Sequence, residues 1–140
     1  MRKFLVVTCL ALVLTACSPV QVQSWLAGRN IHVTPGQAEG ISRHLNKMSM
    51  GCYEAVDSIF PEEAKARMRL IVKRESGGNP RAKNRASTAS GCTQMLKVHS
   101  ARFRKLGYSW DQRFVAYVNV TVAYDLWRDQ GWRPWVLTAY

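Results

Sequence analysis

Residues 60–80, FPEEAKARMRLIVKRESGGNP, decide how the chain is read. Phe60-Pro61-Glu62-Glu63 opens a helix, with its acidic side chains where the helix dipole is positive. Gly77-Gly78-Asn79-Pro80 closes it, because glycine tolerates the left-handed turn that ends helices and proline cannot continue one. At about 100° per residue, Ala64, Met68, Ile71, Val72 and Glu75 fall within an arc of about 100°. Lys65, Arg67, Arg69, Lys73 and Arg74 take most of the remaining surface. One carboxylate therefore lies on an apolar stripe. Either Glu75 is partly desolvated, which disfavours its charged form and suits a general acid, or the last turn frays and Glu75 pairs with Arg74 in water. Spacing alone does not separate the two.

Working outward, Thr34-Pro35-Gly36-Gln37 is a helix start with a threonine cap, proline in the first turn and glutamine three residues on. That helix is expected to reach about Lys47, and Met48 to Tyr53, around Gly51, breaks the pattern. Residues 18–29 read as a spacer and helical lead-in carrying Val20, Val22, Trp25 and Leu26. Residues 79–92, rich in Asn, Ser, Ala and Gly, predict a loop. Helical patterns resume over about 96–106 and 111–130, each stopped by a glycine. No stretch alternates convincingly with period two, so the predicted fold class is all-α.

The chain has 140 residues, enough for one domain with a real core, and a net charge of +11. Such an excess calls for an anionic partner: nucleic acid, a membrane surface or a cell-wall polymer. The N-terminus narrows the choice. Arg2 and Lys3 precede an apolar run from Phe4 to Ala16, too short to span a bilayer and suited to the core of a secretory signal. Leu14-Thr15-Ala16-Cys17 looks like a bacterial lipobox, in which Cys17 is acylated after cleavage; the alternative is an ordinary signal peptide with an incidental cysteine. Export makes nucleic acid an unsuitable partner and leaves Cys52 and Cys92 as a pair able to bridge in an oxidising compartment. A bridge closing about 40 residues would contribute about 4 kcal/mol in the chain-entropy treatment. Two buried free thiols are the alternative. Zinc held by these cysteines with His44 or His99 lacks a recognisable ligand spacing, so no metal or cofactor is expected.

Beyond the helix, Glu75-Ser76-Gly77-Gly78-Asn79-Pro80, then Ala82 and Asn84, then Ser87 to Gln94 (STASGCTQ), form a longer pattern. It is similar to the signature of soluble lytic transglycosylase and goose-type lysozyme domains. That family shows a Glu-Ser pair ending a helix, an Asn-Pro loop and a Gly-Leu-Met-Gln-like segment. Here the last reads Gly91-Cys92-Thr93-Gln94, which keeps the glycine and glutamine and changes the two residues between. Asn119-Val120 resembles the family's Asn-Ile step within the final helix. Residues from about 60 to 135 take part. The family's Ala-Tyr-Asn cleft wall has no clear counterpart: either Trp132 and Trp135 replace it, or Tyr140 supplies the tyrosine without its asparagine.

The resemblance implies a small lysozyme-like helical domain with a cleft, cleaving the β-1,4 bond between N-acetylmuramic acid and N-acetylglucosamine in peptidoglycan. It implies Glu75 as the sole catalytic carboxylate. The next one downstream is Asp111, followed by Asp125, and either could position water if the outcome were hydrolytic. Gln94 is the expected cleft glutamine, Ser76 either a substrate contact or a helix cap, and Asn119 structural. Trp132 and Trp135 offer faces for sugar stacking but suit a core better. If the fold resembles the family, Cys52 and Cys92 approach the end of one core.

The expected organisation is a lipoprotein signal peptide (1–16), a lipidated N-terminus with spacer and N-terminal helices (17–58), and a catalytic domain (59–140). The expected protein is a monomeric, exported lipoprotein of bacterium or phage, tethered to a membrane and acting on peptidoglycan strands. A catalytically silent peptidoglycan-binding lipoprotein, a hydrolytic muramidase and a basic anion-binding protein are the other readings.

Overall fold

The computed structural model describes residues 17–140. Residues 1–16, where a signal peptide and the first part of a lipobox were expected, lie outside the described residues. Those described are all-α: six α-helices and three short 3₁₀ helices, with two isolated antiparallel bridges and no strand. None of the described helices is long and apolar enough to cross a membrane. The chain divides into two compact units between Asn46 and Lys47.

In the first unit, α1 (Pro19–Ala27) begins with a reciprocal capping box between Ser18 and Gln21. The start of α2 (Pro35–Ser49) is fixed by the same device, Thr34 and Gln37 exchanging bonds of 2.8 and 3.3 Å. Cys17 has an exposed free thiol, and its carbonyl accepts hydrogen bonds from Ser42 Oγ and Asn46 Nδ2.

The second unit contains α3 (Cys52–Ile59), α4 (Glu62–Ser76), α5 (Ser100–Lys105) and α6 (Ala116–Gln130). The apolar stripe of α4 is buried as expected: Ala64, Met68, Ile71 and Val72 are almost inaccessible. Each of the larger ones contributes roughly 1.5–3 kcal/mol by burial. They share a core with Val56 of α3 and Val118, Val122 and Leu126 of α6. The compact units divide at 46/47, so α3 lies in the second unit, upstream of residue 59 where the catalytic domain was expected to begin. Because α3 packs on both α4 and α6, it cannot be grouped with the N-terminal helices.

Two later helices begin differently from their predicted bounds. A 3₁₀ turn (Lys97–His99) leads into α5, and a second (Trp110–Phe114) is separated from α6 by Val115 in extended conformation. Gln112 reaches back to the Ser109 amide at 2.9 Å, closing that second turn on itself. Phe60, Tyr124, Trp127 and Trp132 form an aromatic cluster with neighbouring centroids 5.2–5.8 Å apart.

Candidate active site

The C-terminal end of α4 is built from its glycines outward. Gly77, at φ +62°, supplies the left-handed cap. Gly78, at φ +82°, passes so close to Tyr53 that an added Cβ would lie 2.6 Å from the ring. Ser76 Oγ donates to the Cys92 carbonyl at 2.8 Å and accepts the Gly78 N–H at 3.2 Å. It therefore ties the helix end to the following loop. Cys52 and Cys92 are joined by a disulfide, with Cα atoms 5.6 Å apart. The segment beside Glu75 is thus fixed to the start of α3.

The same segment is held from its other side by Asn119, which is fully buried in α6. Asn119 Oδ1 accepts from Thr93 N (3.0 Å) and Thr93 Oγ1 (2.8 Å), while Nδ2 donates to the carbonyls of Ser90 (3.2 Å) and Arg113 (2.9 Å). All four of its hydrogen-bonding positions are filled. Gly91, at φ +81°, lies against that amide, and a Cβ there would overlap it. Gln94 adopts an unusual φ of +52°. Its Nε2 donates to the carbonyls of Gly91 (3.1 Å) and Ala82 (3.3 Å), so the amide orders the loop while the side chain borders the pocket.

Glu75 is half-buried at the end of the apolar stripe. Its Oε1 accepts a hydrogen bond of 2.7 Å from the hydroxyl of Thr138. Arg74, the salt-bridge partner in the solvated reading, turns elsewhere: its guanidinium bonds the carbonyls of Thr138 (3.0 Å) and Tyr140. Glu75 opens onto a pocket of about 60 Å³, together with Thr93, Gln94, His99, Leu126 and Trp135. Burial, then the nearby charge of Arg102, lowers the His99 pKa, so its imidazole is neutral at neutral pH.

Of the remaining candidates, Trp135 alone borders this pocket. Trp135 is buried and donates its indole N–H to the Thr93 carbonyl at 3.1 Å, closing the pocket from within. Trp132 packs on Trp127, with the Arg67 guanidinium 5.4 Å from its ring centroid. Tyr140 is exposed, and the same guanidinium sits 4.6 Å from its ring. Trp135 therefore presents no open stacking face, whereas Trp132 is partly exposed with Trp127 and Arg67 against its ring. Asp125 is bonded to Arg102, and the exposed Asp111 pairs with Arg113 at 3.4 Å; neither lines the pocket. Among the described residues no three His, Cys, Asp or Glu side chains come together as a metal site.

Sequence reasoning missed Thr138, and it weighed Arg74 only as an ion-pair partner of Glu75 and His99 only as a zinc ligand. Thr138 meets Glu75 across 63 positions of chain, and its one sequence cue is that it precedes Ala139-Tyr140. No family model, curated protein or solved structure matches this chain.

Proposed function

We propose that the chain is a peptidoglycan lytic transglycosylase with a small lysozyme-like helical domain, using Glu75 as its only catalytic carboxylate. The observation that carries this reading is the setting of Glu75: half-buried, pocket-facing, bonded to a neutral hydroxyl, and the one carboxylate lining that pocket. In this scheme Glu75 first protonates the oxygen leaving the muramyl anomeric carbon. The substrate's acetamido oxygen stabilises the resulting cation. Glu75, now a carboxylate, removes the proton from the muramyl O6 hydroxyl, which closes on the anomeric carbon. The product is a 1,6-anhydro end, and no water is consumed. Gln94 orders the loop that borders the pocket, and the positive charge of the chain favours an anionic wall polymer.

A hydrolytic muramidase of the two-carboxylate kind has less support, since neither Asp111 nor Asp125 lines the pocket with Glu75. Mass spectrometry of peptidoglycan digested with the protein tests the proposal directly: anhydro-muramyl products are expected. Reducing ends would indicate hydrolysis, and intact strands would leave a silent binder.

The same proposal makes the protein an exported lipoprotein tethered through Cys17, whose thiol is exposed. Full-length protein produced in a bacterium should incorporate labelled palmitate, and Cys17→Ala should not. An unlabelled wild type would remove the tether from the proposal.

A further inference from the structure

We infer that Thr138 is a positioning residue that fixes which oxygen of Glu75 handles the proton; the inference rests on the catalytic role proposed for Glu75. The Thr138 hydroxyl has one proton and two nearby acceptors. The Trp135 carbonyl is 3.4 Å away and already accepts the N–H groups of Thr138 (2.9 Å) and Ala139 (2.8 Å), which fill its lone pairs. Glu75 Oε1 is 2.7 Å away, so the proton is directed there.

The consequence concerns the second oxygen. Among the described residues no hydrogen bond reaches Oε2, and no buried side-chain polar atom lacks a partner. Oε2 is therefore open to solvent. When Glu75 is protonated, the oxygen that accepts the threonine hydroxyl is the carbonyl one, and the acidic proton sits on Oε2. That atom gives its proton to the leaving oxygen. In the second half-reaction the same atom takes the proton from O6, while Oε1 keeps its bond throughout. The carboxyl group has no need to rotate between steps.

Thr138 is held for this role from outside the core. Val136, Leu137 and Tyr140 are exposed around it, and only Ala139 of this segment is deeply buried. The Arg74 guanidinium grips the carbonyls of Thr138 and Tyr140. The residue next to Glu75 in sequence thus positions the partner of Glu75 rather than neutralising it.

The test uses full-length wild type, Thr138→Val, Thr138→Ser and Arg74→Met. Two readouts are taken: kinetics on purified peptidoglycan, and the ¹³C resonance of the Glu75 carboxyl carbon at a pH where it is ionised. Thr138→Val should lower kcat about tenfold with KM unchanged, the value of one hydrogen bond. Thr138→Ser should restore it. The resonance should be displaced in Thr138→Val and Arg74→Met and return in Thr138→Ser. Wild-type kcat with an undisplaced resonance in Thr138→Val, or a serine variant no better than valine, would overturn the inference. A wild type that cuts no peptidoglycan refutes the enzyme reading, and the resonance alone then decides whether Thr138 holds Oε1.

Discussion

Glu75 and Asp125 are both partly buried carboxylates, yet their surroundings differ in kind. Glu75 receives a hydroxyl on one oxygen and leaves the other open. Asp125, with 20 % of its side chain exposed, is bonded to the Arg102 guanidinium, which also reaches Asp129 at 2.6 Å. Burial disfavours the Arg102 charge, but the two carboxylates outweigh it and raise its pKa. A hydroxyl serves a carboxyl group in either protonation state, whereas a guanidinium requires the ionised one. Burial alone therefore does not fit a carboxylate for proton transfer. The charge of its partner does.

The largest expected effect tests that contrast head on. Glu75→Gln should fold normally and lose wall-degrading activity by about 10³-fold. Asp125→Asn should lose none per folded molecule; comparable losses in both would make the two carboxylates functional equals.

Next in size is the disulfide that fixes the wall beside Glu75. Replacing Cys52 and Cys92 by serine should lower stability by about 4 kcal/mol, read from urea midpoints, while leaving the chemistry in place. An unchanged midpoint would mean that Ser76 and Asn119 hold this wall without it.

A smaller loss is expected at the other carboxylate. Arg102→Met leaves Asp125 and Asp129 without their cation and should cost about 2 kcal/mol, with specific activity unchanged. A variant as stable as wild type would show that this cluster is merely surface charge.

The smallest effect sharpens the pocket side. The folded state holds His99 below its ordinary pKa, so on acidification the unfolded chain takes up a proton that the native one resists. That penalty is absent above about pH 6.5 and grows as pH falls below it. His99→Gln should therefore flatten the decline in stability between about pH 7 and 5, measured by urea unfolding at each pH. An identical decline in both proteins would discount the burial of His99.

Much of this was legible because it is local. The stripe from Ala64 to Val72 and the glycine stop state α4 outright, and Thr34-Pro35 marks α2. The helix α3 carries a signal too, since Cys52, Ala55, Val56 and Ile59 follow helical spacing, but Gly51, which reads as a break in the pattern, is the residue that caps it. The start of α6 was misplaced because Asp111 and Arg113 suit a helix, whereas Ser109 and Gln112 close a separate turn. Glu75 could be singled out from its stripe. Its partner could not, since nothing in the pattern around Thr138 points back across 63 residues.

Asn119 has one more consequence, for exchange with solvent. The Thr93 amide belongs to a loop, where backbone hydrogens ordinarily exchange through small local fluctuations. Here that hydrogen is bonded to an oxygen of a fully buried side chain on α6. Freeing it means pulling the loop from the helix and stranding the remaining polar groups of Asn119 in the core. The Thr93 amide should consequently be as protected in deuterium as the interior of α6, so that this loop unfolds only when the helix beneath it does.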